Sequence, residues 1–191
     1  MQLEDLHEHN VVHGRVELPN LFIQDQHGRR HVVLGSPGDA RACAAGWRPP
    51  EIIRCEEASW QSDIFGLGVV LLTVWTGMCL RARAGEFLEE QGEPATPGNI
   101  DSVADLLAAE GASELWLLHK GDLFEFCPLA QAISSTIKWL SALDPARRPC
   151  AASVSRVLSL KLTTFSDSPN FDPGWGYLCG PRIADLVAME E

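Results

Sequence analysis

The most apolar part of the chain is a continuous stretch, residues 62–77, whose apolar side chains occur at every angle around a helix. Ser62 can cap the first turn of this helix, and Gly77 can end it in the left-handed conformation. A surface helix needs a polar face, so the stretch is predicted to be a helix buried in the middle of a domain. Its β-branched residues and glycines would also suit a strand, but its length and end signals favour a helix.

Shorter periodic segments predict further helices around this central one. Residues 3–9 have the pattern of the end of a helix, with Leu3 and Leu6 on one side. Residues 129–143 carry a single apolar stripe, as an amphipathic helix does, and residues 150–162 repeat that pattern. The chain is therefore predicted to form a mainly helical domain.

Two β-favouring runs near the N-terminus predict a small hairpin. The runs Leu21-Phe22-Ile23 and His31-Val32-Val33-Leu34 are rich in β-branched and aromatic residues. The tetrapeptide Asp25-Gln26-His27-Gly28 between them is rich in turn-forming residues. The predicted fold class is thus mainly α with one small β-hairpin.

Other stretches have no regular apolar period. Residues 36–50 are rich in Gly, Ala and Pro and predict an irregular loop, and the Glu-, Gly- and Pro-rich residues 83–100 predict an exposed excursion. Ser102-x-x-Asp105 then predicts the capped start of a short helix. The Pro- and Gly-containing residues 163–191 are predicted to be a tail, partly extended or mobile.

Charge and length exclude several classes of function. The chain has 191 residues, with 15 Lys and Arg against 26 Asp and Glu, and a net charge of −11. An acidic surface repels a phosphate backbone, so nucleic acid is not an expected partner. The longest apolar run, Ile64 to Trp75, is shorter than the roughly 20 residues of a membrane span. No signal peptide is visible, because the chain is charged from its start, with Glu4, Asp5 and Glu8 among residues 3–8. We expect a soluble chain, either cytoplasmic or, if the true N-terminus lies upstream, secreted.

The six cysteines give no metal or redox motif. None of them forms a C-x-x-C pair, which argues against a zinc ribbon or a thioredoxin-type site. Their even number permits disulfides, although buried free thiols are the commoner outcome in apolar surroundings. Cys43 has Arg41 and Arg48 near it in sequence, so a reactive thiol is an alternative to an ordinary one.

Short segments along the chain resemble, in the right order, motifs of the C-terminal lobe of the eukaryotic protein-kinase fold. His13 to Asn20 resembles the catalytic loop H-R-D-x-x-x-x-N. Further resemblances are to the D-F-G, A-P-E, S-D-x-W-S-L-G and D-P-x-x-R-P motifs, at Ser36-Pro37-Gly38, Pro49-Pro50-Glu51, Ser62 to Gly68 and Asp144 to Pro149. The resemblance implies a kinase-like C-terminal lobe over residues 3–162. No Gly-rich loop and no strand lysine precede residue 13, so the N-terminal lobe is expected to be absent from this sequence.

The residues that hold such a lobe together are present. By the resemblance, Glu51 should pair with Arg148, and Asp63 should hold the backbone of the loop that starts at His13. His13 itself is then expected to be a core residue of the scaffold. A bidentate Arg–carboxylate pair shielded from water is strong and oriented, which suits this role.

The residues that perform phosphoryl transfer in the family are replaced. Arg15 stands at the position of the catalytic-loop Asp, and Ser36 stands at the position of the metal-binding Asp. Arginine cannot act as a base near neutral pH, and serine is a poor ligand for a hard dication. Asn20 remains as a vestige of the nucleotide–metal site. No catalytic residue, no metal and no cofactor are expected.

The resemblance therefore predicts a pseudokinase that binds or scaffolds a protein partner. The alternative is that a fuller version of the chain binds ATP with Mg²⁺ and transfers phosphate by a non-standard route. Gly14 followed by a basic residue is similar to the rhoptry pseudokinases of apicomplexan parasites, although Pro19 lies one place later than in their loop.

Other combinations of reactive residues are weaker candidates for a site. His7, His9 and His13 do not make a complete metal-ligand set. Ser36 with His31 lacks the G-x-S-x-G elbow of a hydrolase. The tryptophans are expected to be core or interface anchors rather than a base-stacking platform, and they are Trp60, Trp75, Trp116 and Trp139.

Overall fold

The computed structural model describes residues 2–76, 80–111 and 128–166. They form a mainly helical domain with one two-stranded antiparallel sheet, which confirms the predicted fold class. The helices are α1 Gln2–Glu8, α2 Pro50–Ile53, α3 Trp60–Thr76, α4 Leu80–Glu90, α5 Pro97–Gly111, α6 Pro128–Leu140 and α7 Ala151–Ser166. The strands are β1 Leu21–Gln26 and β2 Arg29–Leu34, and single 3₁₀ turns lie at Leu18–Asn20, Ala40–Ala42 and Pro145–Arg147.

Helix α3 is the predicted buried helix. Ile64 and Val69 are completely buried in it, which follows from its apolar character on every side. The helix begins at Trp60, two residues earlier than predicted, because the carbonyl of Ser59 already accepts the N–H of Ser62. The Ser62 hydroxyl accepts the N–H of Ser59 at 3.1 Å. Ser59 and Ser62 therefore bind each other at the start of the helix, as in a capping box. The predicted end signal, Gly77, lies outside the described residues.

Two apolar clusters lie around α3 and together form the core. One joins Phe65 and Leu72 of α3 to Trp47 and to the facing sides of α4, α5 and α6. The other joins Ile64 to α1 and α7, with Val154 of α7 fully buried. Trp47, which the sequence pattern did not single out, is only 2% exposed and is the largest of the most deeply buried side chains.

The predicted hairpin is present, with a tighter turn than expected. Leu21 pairs with Leu34, and Gln26 pairs with Arg29, so only His27 and Gly28 form the loop. Both loop residues have positive φ, 55° and 77°, as a two-residue type I′ turn requires. The rest of the predicted tetrapeptide extends the first strand.

The prediction of an exposed excursion over residues 83–100 holds only in part, because most of these residues are exposed but many of them are helical. Residues 80–90 form α4, and its Ala84 and Leu88, four positions apart, are buried in the core. Burial of this narrow apolar stripe adds to a sequence that is already rich in the helix formers Ala, Leu, Arg and Glu and has one glycine, Gly85. Only residues 91–96 between α4 and α5 are irregular.

The predicted start of α5 at Ser102 is wrong. Thr96 caps this helix, because its hydroxyl accepts the N–H of Asn99 at 3.2 Å, and Pro97 occupies the first helical position. Ser102 lies inside the helix and donates its hydroxyl to the carbonyl of Gly98. A threonine cap followed by proline was the stronger start signal.

The ends of the remaining helices differ slightly from the predicted bounds. Helix α6 ends at Leu140, and the carboxylate of Asp144 then caps the following 3₁₀ turn by accepting the N–H of Ala146. Helix α7 continues to Ser166 and so includes the first residues of the predicted tail, whereas residues 167–191 lie outside the described part. Within residues 2–76, 80–111 and 128–166, no helix has the length and apolar character to cross a membrane.

Candidate functional site

The loop that starts at His13 is held by one buried carboxylate at the start of α3. Asp63 accepts the backbone N–H groups of His13 at 2.8 Å and Gly14 at 2.7 Å, one on each oxygen. His7 of α1 adds a third contact, with Nε2 2.9 Å from Oδ2. Asp63 is 2% exposed, so these bonds are shielded from water. The loop is therefore fixed to the most buried helix of the domain.

The imidazole of His13 joins the loop to the end of the hairpin. Its Nδ1 accepts the N–H of Arg15 at 3.2 Å, which places the proton on Nε2, and Nε2 donates to the carbonyl of Gly35 at 3.0 Å. His13 is 1% exposed, so both ring nitrogens are used inside the protein. The side chain lies where a core residue of the scaffold should lie.

Gly14 can only be glycine in this arrangement. Its φ of +74° is in the left-handed region, where a side chain is strained. A Cβ at this position would also collide with the carbonyl oxygen of Gly38, which lies against the loop. The glycine that follows His13 is thus explained by the close approach of two backbone segments.

Arg15 is paired with a buried acid that the sequence pattern did not reveal. Its Nε and Nη2 both donate to Oε1 of Glu17, Nε at 3.0 Å. The side chain of Glu17 is 3% exposed and that of Arg15 is 39% exposed, so the cation closes over the carboxylate from the solvent side. The hydrogen bonds and the charge of Glu17 raise the pKa of Arg15, which strengthens its permanent positive charge.

Asn20 connects the loop to the segment after the hairpin. Its Nδ2 donates to the carbonyl of Arg15 at 3.0 Å and to the carbonyl of Ser36 at 3.1 Å. The backbone of Asn20 also accepts the N–H of Gly35 at 2.8 Å. The amide that resembles a nucleotide–metal residue is therefore used to fasten two backbone segments together, and Ser36 itself is exposed.

The short irregular segment 36–49 packs directly on the loop that starts at His13. The N–H of Gly38 donates to the carbonyl of His13 at 2.8 Å, and the Cys43 thiol donates to the carbonyl of Gly14 at 3.6 Å. The stem of Arg15 lies over Gly38. The enclosed space left between loop, segment and α3 is about 10 Å³, room for about one water molecule.

Cys43 has the environment of an inert thiol. Burial and the nearby charge of Glu17 raise its pKa to about 12, and the positive charges of Arg15 and Arg48 only partly offset this. A thiol is reactive as the thiolate, which is scarce at neutral pH under these conditions. The ordinary buried thiol is thus the better interpretation of Cys43.

Asp101 of α5 is a second buried carboxylate that the sequence pattern missed. It accepts the N–H of Gly46 at 2.7 Å on one oxygen and Nη1 of Arg48 at 3.1 Å on the other. Arg48 in turn donates its Nε to the carbonyl of Cys43 at 2.9 Å. This cluster holds the end of the short segment against the core. Asp101 lies more than 50 positions from Gly46 and Arg48, so no local pattern connects it with them.

Glu51 and Arg148 form a buried bidentate ion pair. Nη1 lies 2.6 Å from Oε1 and Nη2 lies 2.9 Å from Oε2. Ser62 donates a further hydrogen bond to Oε1 at 2.8 Å, and the guanidinium lies 4.9 Å above the ring of Phe65. Burial raises the pKa of Glu51, but the hydrogen bonds and charge of Arg148 outweigh it and leave the pKa lowered. The structure thus brings these two residues together across the domain.

The remaining candidate residues lie apart from one another. His7 faces Asp63, His9 contacts the carbonyl of Asp5, and His31 lies in the hairpin opposite Gln24. In residues 2–76, 80–111 and 128–166 no group of three or more His, Cys, Asp or Glu side chains is arranged to hold a metal. Trp60 and Trp139 are partly exposed, as anchors at a surface would be, and Trp116 lies outside the described residues.

Comparison with known proteins gives partial similarities to protein kinases. No family model matches the chain. It is 29% identical over 83 residues to the probable leucine-rich repeat receptor-like protein kinase IMK3 of Arabidopsis thaliana, covering 38% of this chain and 11% of that protein. It is 31% identical over 85 residues to the probable serine/threonine-protein kinase 2 of Plasmodium falciparum, covering 39% and 17%.

The longest of these similarities covers most of the chain. The leucine-rich repeat receptor-like serine/threonine-protein kinase SKM1 of Arabidopsis thaliana is 26% identical over 155 residues, which is 78% of this chain and 15% of that protein. The chain spans less than a fifth of the length of each of these relatives. The similarities support a protein kinase-like relationship and nothing finer.

Proposed function

We propose that this chain is a pseudokinase domain, a kinase-like lobe that transfers no phosphate and acts by binding a protein partner. The observation that carries this proposal is the Arg15–Glu17 pair. In protein kinases a carboxylate of the catalytic loop accepts or orients the proton of the substrate hydroxyl. Here the corresponding side chain is a permanent cation, bound to a carboxylate that is itself buried.

The metal-binding half of the site supports the same proposal. Ser36 offers a neutral oxygen in place of a carboxylate. The amide of Asn20 already donates hydrogen bonds to the carbonyls of Arg15 and Ser36. Magnesium in phosphoryl-transfer sites is held through carboxylates and phosphates. The loop is therefore better suited to holding the fold than to holding a metal nucleotide.

A partner-binding role is supported by the apolar surface of the hairpin. Phe22 and Ile23 are each 56% exposed and Val32 is 66% exposed, although the domain has a core in which such residues are normally buried. Ile23 and Val32 are paired across the two strands and so lie side by side on one face, whereas Phe22 lies on the other face. Exposed apolar clusters of this kind mark interaction sites. Gly14 and Arg15 are similar to the loop of the rhoptry pseudokinases.

The proposal is tested by incubating the whole chain with millimolar ATP and Mg²⁺ or Mn²⁺. We expect no rise in melting temperature and no labelled phosphate on the chain or on a generic peptide substrate, while an active protein kinase assayed in parallel gives both. Stabilisation by several degrees would reveal nucleotide binding. Together with labelled product, it would favour the alternative of a kinase that transfers phosphate by a non-standard route.

A further inference from the structure

The outer face of α6 borders a groove of about 750 Å³, well apart from the loop that starts at His13. Ser135, Lys138 and Trp139 lie at positions i, i+3 and i+4 of the helix and therefore share one face. The opposite face of α6 carries Ile137 and Leu140, which are buried against the core. The groove volume falls within the range of ordinary ligand pockets.

The turn that follows α6 supplies the second wall of this groove. Leu143 contributes an apolar side chain that is 40% exposed, close to the 39% of Trp139. Single exposed apolar residues are common, but here two of them line the same groove, and we call them its apolar floor. Tryptophan is also among the residues that contribute most binding energy at interfaces.

Cations flank this apolar floor. Lys138 and Arg147 line the groove and are exposed, and neither has a carboxylate within ion-pair distance among the side chains that the structure describes. The one acid in the lining, Asp144, accepts the N–H of Ala146 as a cap. The chain carries a net charge of −11, whereas the described lining of this groove holds two cations and one acid. At physiological salt the field of an exposed charge decays over about 8 Å, so the local charge is set mainly by the lining itself, in which Lys138 and Arg147 outnumber Asp144.

We infer that this groove binds an acidic peptide segment of a partner protein, in which acidic residues flank one bulky apolar side chain. The apolar side chain would pack against Trp139 and Leu143, and the acidic residues would pair with Lys138 and Arg147. The inference goes beyond the proposed function, because the groove shares no residue with the Arg15 loop and would bind the peptide whether or not ATP binds.

The test uses the whole chain and a set of fluorescein-labelled peptides. Each peptide places Leu, Phe or Trp between Asp and Glu residues, and matched versions replace the acids by Lys or the central residue by Ser. We expect micromolar binding by fluorescence polarisation for the acidic apolar peptides, weakened at least tenfold by either replacement and by added salt.

Variants of Lys138, Trp139 and Arg147 test whether these side chains bind the peptide. The double change Lys138→Glu and Arg147→Glu should weaken binding at least tenfold, and Trp139→Ala at least fivefold. The matched control is Arg30→Glu with Arg41→Glu, which changes the net charge equally at exposed positions elsewhere. Melting curves verify that each variant folds. If the double variant does not fold, Lys138→Glu alone is measured, with a smaller loss expected.

Three results would overturn the inference. One is the absence of binding by any acidic peptide, and another is equal binding of the Lys versions. The third is a loss of binding that is the same in the control variant as in the groove variant. Sedimentation at rising concentration addresses self-association: a dimer that the groove changes abolish would assign the groove to a second copy of the chain instead. The ATP assay tests the proposed pseudokinase function and the peptide assay tests the groove, so either proposal can fail without the other.

Discussion

Glu51 and Arg148 lie 97 positions apart in the chain and meet in a buried pair in which both guanidinium nitrogens Nη1 and Nη2 bind the carboxylate. Arg148 also donates to the backbone carbonyls of Gln61 and Ala142. The pair therefore ties the short helix α2 to the start of α3 and to the turn before α7. The pair is thus a buried polar connection between segments that lie far apart in the chain.

Removing one partner of this pair should destabilise the domain strongly. Glu51→Ala leaves the Arg148 charge buried without its carboxylate, which costs about 3–5 kcal/mol of unfolding free energy. Urea denaturation measures the loss. The control is Glu56→Ala, which breaks an ion pair with Arg54 whose two side chains are each about half exposed, and should cost less than about 1 kcal/mol. Equal losses in the two variants would contradict a structural role for the buried pair.

Asp105 should make stability fall as the pH rises. Burial, with the nearby charges of Asp101 and Glu51, raises the pKa of Asp105 to about 8 in the folded chain, against about 3.9 when unfolded. Between these values the folded state keeps a proton that the unfolded state loses, so stability declines with pH until about pH 8. Asp105→Asn removes this dependence and, since the residue is half-buried, should stabilise the domain by about 1–2 kcal/mol near pH 7.

Urea unfolding of both proteins between pH 4 and pH 9 checks this expectation. The advantage of Asp105→Asn should be small near pH 4 and should grow up to about pH 8. Asp25→Asn, at an exposed position of the hairpin, is the control and should show no such growth. If the gain in unfolding free energy of Asp105→Asn is constant between pH 4 and pH 9, the proton on Asp105 is not responsible for it.

Arg15→Asp should destabilise the chain without creating a kinase. The change removes the cation from the buried Glu17 and places a second acid beside it. Because Arg15 is partly exposed, water screens part of the penalty, and a loss of about 1–3 kcal/mol is expected. Arg15→Asp combined with Glu17→Gln should recover part of this loss. Denaturation and the phosphotransfer assay together check the prediction, which labelled product from the single variant would refute.

Cys43 should resist alkylation in the folded chain. Its pKa of about 12 leaves little thiolate at pH 7.5, and its side chain is buried under the short segment. Exposed Cys55 should react with iodoacetamide under the same conditions. Mass spectrometry of the digested protein locates the label. Rapid labelling of Cys43, at a rate similar to that of Cys55, would show that the segment opens readily.

Several parts of this structure were predictable from the sequence because their signals are local. The central helix is apolar over its whole length, and the hairpin has two β-favouring runs with a turn between them. The Glu51–Arg148 contact was expected only through resemblance to a known motif. No periodicity links residues so far apart.

Other parts depended on tertiary contacts that a single sequence does not display. Helix α4 consists of good helix formers, but the Gly and Pro residues of the stretch that follows, 91–98, made the region resemble a loop, and the burial of Ala84 and Leu88 depends on tertiary contacts. Asp101 finds its partners more than 50 positions upstream. The Arg15–Glu17 pair had a usable signal, because side chains at i and i+2 of extended backbone point the same way, and Glu17 is extended at φ −141° and ψ 154°.

The pairing of Arg15 with Glu17 also bears on how this loop can change over evolutionary time. A carboxylate restored at position 15 alone would stand beside a buried acid, and loss of Glu17 alone would leave the cation without its counter-charge. Each single substitution at these two positions therefore passes through a less stable intermediate. We expect the two positions to change together or not at all.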